Sequence, residues 1–270
     1  MGRQQAFPRR IPDTEYPDLC QPDYETVFQI LSGESRMMRF VRYISLYIII
    51  CCGIICAGEV PSPDAGWREN FSSDKQFNAD WRPEGMHFLV PHTKFYVAEI
   101  PSANDGKALV IEAARAAGAR VIAPRNVDWQ KTPVMRWRWR LVRPVVLKKG
   151  KKEPDDQAGA IYIGDGSLAS SRCVTYRWEK KSPIGSVRRT KYAAGCMNTY
   201  VVCAANDSVP LNEWRIEEYD VVKNFIAAFG TPPDRKFMLC VAGNSQYSRS
   251  NTRLEIDFIE FIPRRKEAAK

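Results

Sequence analysis

The chain has 270 residues, 44% of them hydrophobic and 26% charged, with a formal net charge of +9. That composition excludes a disordered, collagen-like or many-spanning membrane protein and suits a folded chain with a sizeable core. Residues 1–57 hold six Lys/Arg and six Asp/Glu, so 34 of the 40 basic and 25 of the 31 acidic residues lie beyond them. An excess of that sign favours acidic partners such as phosphorylated or uronic-acid glycans, anionic lipids or nucleic acid.

Residues 1–36 are Pro-rich, mixed in charge and without apolar periodicity, and read as an upstream extension, either disordered or outside the translated protein. Arg39 and Arg42 then precede the uncharged run Tyr43–Ala57, which small residues close before Glu59. The run falls short of the roughly 20 residues that span a bilayer. A positive start, a short apolar stretch and a small-residue exit predict a signal peptide over residues 37–57, with an uncleaved membrane anchor as the alternative. Residues 58–270 are then a single exported domain, placed in the periplasm or on the cell surface.

That domain reads as short strands rich in β-branched and aromatic residues, separated by Gly, Pro, Asn and Asp. The strands are Lys94–Glu99, Ala108–Ala114, Arg120–Ala123, Val134–Val142, Ala160–Gly164, Arg172–Glu179, Thr199–Ala204, Glu213–Glu218, Phe237–Ala242 and Arg253–Ile262. The pattern predicts an all-β fold, an antiparallel β-sandwich or jelly roll of lectin-like or galactose-binding-like type. One short helix interrupts it near the C-terminus. Asp220 caps it, Val221, Val222, Phe225, Ile226 and Phe229 form its apolar stripe, and Gly230 with Pro232-Pro233 ends it. Its expected role is to plug one end of the sandwich.

The period of two in Arg136-Trp137-Arg138-Trp139-Arg140 puts the tryptophans on one face and the arginines on the other. The tryptophans suit the core, and the arginines then call for something acidic opposite them. The same rule separates Val174, Tyr176 and Trp178 from Thr175 and Arg177, and Tyr162 from Ile161 and Ile163. One sheet face presenting Arg138, Tyr162 and Arg177 together, beside Asp155 and Asp156, is the expected ligand surface.

Of the eight cysteines, Cys173, Cys196, Cys203 and Cys240 remain after residue 57. An even count in an oxidising compartment permits disulfides. Cys173 with Cys203 is the expected pair, across a hairpin turning through residues 180–198; small buried thiols are the alternative. No C-x-x-C spacing, H-E-x-x-H, G-x-S-x-G or Gly-rich phosphate loop occurs. The two histidines, His87 and His92, leave a third metal ligand unplaced. Asp155 and Asp156 suit three roles: turn capping, calcium ligation through hard oxygens, or glycoside hydrolysis with a second acid such as Glu213 or Glu217. Residues 136–152 carry eight Lys/Arg, ending in Lys148-Lys149-Gly150-Lys151-Lys152. That loop is a solvated hairpin tip or a contact for an anionic polymer. Export and the lack of a recognisable binding module argue against nucleic acid.

Several segments in order resemble a bacterial family of exported proteins without assigned activity, domain-of-unknown-function family 3047. They are Pro91-His92-Thr93-Lys94-Phe95-Tyr96, Arg136-Trp137-Arg138-Trp139, Asp155-Asp156 before Ile161-Tyr162-Ile163, and Thr175-Tyr176-Arg177-Trp178. Trp214, the helix closing on Phe229-Gly230, and Asp257-Phe258-Ile259-Glu260-Phe261 complete the set, so that the likeness covers Pro91 to Phe261. It implies an exported β-sandwich related in style to lectin-like and carbohydrate-binding domains. This chain departs from the family pattern at Asn244-Ser245-Gln246-Tyr247-Ser248, Ala160 and Tyr219-Asp220-Val221, where charged residues are replaced. The resulting expectation is a non-enzymatic module for an acidic glycan or other envelope polymer, through Arg138, Tyr162, Arg177, Asp155 and Asp156, with no cofactor. A glycan hydrolase or lyase and a structural protein that binds another envelope protein are the alternatives.

Overall fold

The alternation in residues 134–143 predicts one buried and one open face. The computed structural model, which describes residues 66–84, 90–147, 155–167, 170–192 and 195–265, builds a two-sheet sandwich on that rule. The extension, the signal segment, His87 and the run Lys148–Lys152 lie outside the described residues. In chain order the elements are β1 (Arg68–Glu69), α1 (Asp74–Asp80), β2 (Arg82–Glu84), β3 (Lys94–Glu99), β4 (Lys107–Ala114), β5 (Ala117–Ile122), β6 (Val134–Arg143) and β7 (Gln157–Ser167). They continue with β8 (Ser170–Trp178), β9 (Val187–Tyr192), β10 (Met197–Ala205), β11 (Arg215–Asp220), α2 (Val221–Phe229), β12 (Met238–Asn244) and β13 (Asn251–Ile262). The first sheet runs β11-β6-β13-β4-β3 with β1 on β13, and the second runs β2-β5-β12-β7-β8-β10-β9.

The ladders are antiparallel except that β10 runs parallel to β8, which corrects the expectation of a wholly antiparallel sandwich. The chain leaves β8, forms the edge strand β9, and returns as β10 between the two. The expected Cys173–Cys203 disulfide fails for the same reason. Parallel register sets Cys173 beside Thr199 and Cys203 beside Arg177, four residues apart along the strands, and both are free thiols.

Trp137 and Trp139 point inward as expected and, with Leu141, are fully buried against Val174, Tyr176 and Trp178 of the facing sheet. Trp139 and Trp178 have ring centroids 5.4 Å apart, and Trp137 and Tyr176 5.3 Å. Two glycines on adjacent strands, Gly159 of β7 and Gly243 of β12, face the first sheet with no room for a side chain. A Cβ on Gly159 would lie 2.6 Å from Leu254 Cδ1, and one on Gly243 would lie 2.7 Å from Ile111 Cγ2.

Helix α2 begins as expected, with Asp220 Oδ1 accepting from the Lys223 amide at 2.9 Å, and ends at Gly230, whose φ of 79° needs no Cβ. Its buried face is Val221, Phe225 and Ala228, while Ile226 is exposed. Asn224 Nδ2 donates to Tyr176 Oη at 3.0 Å, which fixes the helix to the inner side of β8. Helix α1, unforeseen from sequence, starts at Ser73, whose Oγ accepts from the Gln76 amide at 3.2 Å, and buries Phe77 against Phe71 and Trp81. Strands β1, β2 and β9 were also not foreseen. Among the described residues no helix is long and apolar enough to cross a membrane.

Candidate functional site

On the outer face of the first sheet, the arginines of β6 meet their acids within the same sheet. Arg136 pairs with Glu260, Arg138 with Asp257 at 2.5 Å, and Arg140 with Glu255 at 2.6 Å. Strict alternation along β13 would not place all three acids outward. A bulge between Ile256 and Phe258 resets the phase so that it does. Arg138 also donates to Asn104 Oδ1 at 2.9 Å and stacks over Trp214 at 4.7 Å. Arg138 is therefore an internal ion-pair partner on one outer face, whereas Tyr162 and Arg177 lie on the other. The expected single surface that joins all three is corrected accordingly.

The second sheet brings Tyr162, Arg177 and Asp155 together on its outer face. Arg177 is 2% exposed. Its Nη1 donates to Asp155 Oδ1 at 2.7 Å and to Tyr192 Oη at 3.2 Å, and its Nη2 donates to Gln157 Oε1 at 2.7 Å. Ala160, directly across the ladder, leaves room for the guanidinium. Tyr192 Oη donates to Asp155 Oδ2 at 2.7 Å, Gln157 Nε2 donates to Tyr162 Oη at 3.3 Å, and Arg188 pairs with Glu179 at 2.5 Å. Burial opposes the charge on Arg177, but Asp155, Tyr192, Tyr162 and Glu179 together outweigh it and the guanidinium pKa is raised further. For Asp155, burial likewise favours the neutral acid, yet the charge and hydrogen bonds of Arg177 and Tyr192 hold its pKa below the ordinary value.

Among the described residues Thr175 Oγ1, Thr199 Oγ1 and Arg177 Nε of this face are buried without a hydrogen-bond partner, the last lying 3.5 Å from Glu179 Oε1. The rim is open, since the side chains of Asp155 and Arg188 are 31% and 35% exposed and Tyr162 and Tyr192 are half-buried. Helix α2 lies on the inner side of this sheet and α1 packs on β3, while the centre of the face, at Ala160, Thr175 and Val201, is fully buried.

The remaining expected residues fall elsewhere. Asp156 accepts from the backbone amides of Tyr247 at 3.4 Å and Ser248 at 2.6 Å and so caps that turn, and burial raises its pKa. Glu217 is buried on the inner face of β11, paired with Arg215 at 2.6 Å, and burial raises its pKa too. Sheet two separates it from Asp155, so the two do not form a hydrolytic pair. Glu213 is exposed. Among the described residues no group of three or more His, Cys, Asp or Glu is arranged to hold a metal ion. Cys203 and Cys240 are pushed up to about 12 by burial, which leaves both as thiols.

Gln157, Glu179, Arg188 and Tyr192 were not expected at the site. A signal for two of them was present, because the alternation in Val187-Arg188-Arg189-Thr190-Lys191-Tyr192 sets Arg188, Thr190 and Tyr192 on one face.

A family model described as "Protein of unknown function (DUF3047)" matches residues 79–260. The chain belongs to the DUF3047 family. The matched span takes in β3 to α2 and most of β13, and so includes the whole Arg177 cluster of this DUF3047 protein. No curated protein matches the chain. Among solved structures it is similar to the family 11 carbohydrate-binding module of the cellulosomal cellulase Lic26A-Cel5E of Clostridium thermocellum, at 9% identity and a TM-score of 0.36, over 76% of this chain and 99% of that one. It is also similar to the CBM22-1 xylan-binding domain of Paenibacillus barcinonensis Xyn10C, at 12% identity and a TM-score of 0.32, over 77% of this chain and all of that one.

Proposed function

We propose that this DUF3047 protein is a non-enzymatic binding module of the bacterial cell envelope that holds a glycan on the outer face of its second sheet. The Arg177 cluster supports this reading: a buried, hydrogen-bonded floor with a partly exposed rim of Asp155, Arg188, Tyr162 and Tyr192. Planar guanidinium, carboxylate and amide groups suit pairs of sugar hydroxyls, and tyrosine rings supply apolar area beside them. A network already fixed by buried partners loses little freedom on binding. The signal-like segment 37–57 completes the reading by directing the domain out of the cytoplasm.

Affinity electrophoresis of the full chain through gels containing soluble polysaccharides tests the site. Arg188→Ala and Tyr192→Phe are expected to abolish retardation, while Arg143→Ala, exposed on the other sheet, retains it. An absence of retardation across the panel would overturn the glycan reading and favour a protein partner.

A further inference from the structure

The outer face of the first sheet carries an open cleft of about 450 Å³. Side chains of alternating charge line it. Arg140 Nε donates to Glu255 Oε2 at 2.6 Å, Arg253 Nη2 donates to Glu255 Oε1 at 2.6 Å, and Arg253 Nη1 donates to Glu112 Oε1 at 3.2 Å. Glu255 is buried, and each of its oxygens holds one arginine. Arg143 ends the series. It stands in the ladder directly opposite Arg253, while Leu141 stands opposite Leu254, so Val142 is an extra residue on β6. Alternation from the buried Leu141 would turn Arg143 inward, and the bulge turns it out beside Val142 instead. Like charges directly opposite each other destabilise a ladder. Arg143 Nη2 lies 3.4 Å from Glu112 Oε1, the oxygen that Arg253 already holds, and its side chain is 52% exposed. Two guanidiniums thus share one carboxylate oxygen.

We propose that this cleft is a second binding site, which takes a small hydroxylated organic anion, a sugar acid or sugar phosphate, with its oxyanion on Arg143 and Arg253. The site is independent of the glycan face on the second sheet. A guanidinium presents parallel N–H donors to the paired oxygens of a carboxylate or phosphate, and the anion offsets the repulsion between the opposed arginines. The volume falls in the range of about 300–1,000 Å³ typical of small-ligand sites. Ile100 and Val142 give the cleft an apolar wall for the face of a ring, and the carboxamide of Asn212 both donates to and accepts from hydroxyls. Asn212 is itself fixed by its backbone amide, which donates to Leu141 O at 2.8 Å.

Equilibrium dialysis of the full chain with labelled glucuronate, glucose 6-phosphate and glucose tests the site, at about 0.15 M salt, where the Debye length is roughly 8 Å and distant charges are screened. At least one of the two anions is expected to bind about tenfold more tightly than glucose, the size of one charge-assisted hydrogen bond, and the anion that binds names the oxyanion. Arg143→Ala removes that preference, Arg143→Lys restores part of it, and Arg188→Ala on the other sheet leaves it unchanged. Circular dichroism matching the wild-type protein shows that each variant is folded. Anions bound no better than glucose, or a preference that survives Arg143→Ala, overturn the proposal whatever the polysaccharides do. A preference lost with Arg143 in a protein that no polysaccharide retards upholds this site and overturns the glycan reading alone.

Discussion

Arg177 Nη1 donates to Asp155 Oδ1 at 2.7 Å, tying the outer face of β8 to the turn that enters β7. The two residues are 22 apart in sequence, and neither has its role alone. Arg177 is buried and needs a counter-charge, and Asp155 is held ionised and in place by the guanidinium.

Removing one partner of a buried ion pair leaves an uncompensated charge and typically costs about 3–5 kcal/mol. Asp155→Ala is expected at about 3 kcal/mol, the low end, because Gln157 and Tyr192 still hold the guanidinium. Urea unfolding measures it, and a loss below about 1 kcal/mol would show that the pair is dispensable.

The same pair sets an acid limb of stability. The Asp155 pKa is lower folded than its ordinary 3.8, so its contribution is complete above that value and is lost as pH falls through the folded one. The stability difference between the wild-type protein and Asp155→Asn should hold steady from neutral pH down to about 5 and shrink below about 4. Asp156 and Glu217 act in the opposite sense. Burial raises their pKa, so protonation on acidification favours the folded state at those two positions. A wild-type difference from Asp155→Asn that grows below pH 4 would contradict the assignment.

Much of the sandwich was legible in the sequence, because alternation is local. Trp137, Trp139, Tyr176 and Trp178 point inward, and Asp220 and Gly230 bound the helix, as their residue types require. Which sheet each strand joins was not legible. Arg138 and Arg177 are both outward residues of strands, and alternation gives the same answer for either side of a sandwich. The acids that match Arg136, Arg138 and Arg140 depend on a bulge in β13, which alternation does not foresee. The crossover that makes β10 parallel to β8 uses the same turn residues as a hairpin would, so Cys173 and Cys203 looked joined when they are out of register.

Alkylation under denaturing conditions without reductant should therefore modify Cys173 and Cys203 fully, as read by mass mapping. Recovery of a peptide pair linked through these two residues would contradict the parallel register.

Gly159 faces Leu254 of the other sheet with no room for a Cβ. Gly159→Ala places a methyl group against Leu254 and is expected to cost about 1–3 kcal/mol, a range typical of overpacked cores. An unchanged unfolding midpoint would mean that Leu254 moves aside freely.

The central claim is that the Arg177 face binds a glycan, and calorimetric titration of the full chain and its Arg188→Ala variant with polysaccharides that retard the wild-type protein tests it most directly. Arg188 is on the rim, so its loss should weaken binding at least tenfold while the variant stays folded, with Arg177 remaining beside Glu179. Equal affinity in the two proteins, with Arg143→Ala on the opposite sheet weakening binding instead, would move the site to the other face and contradict the account.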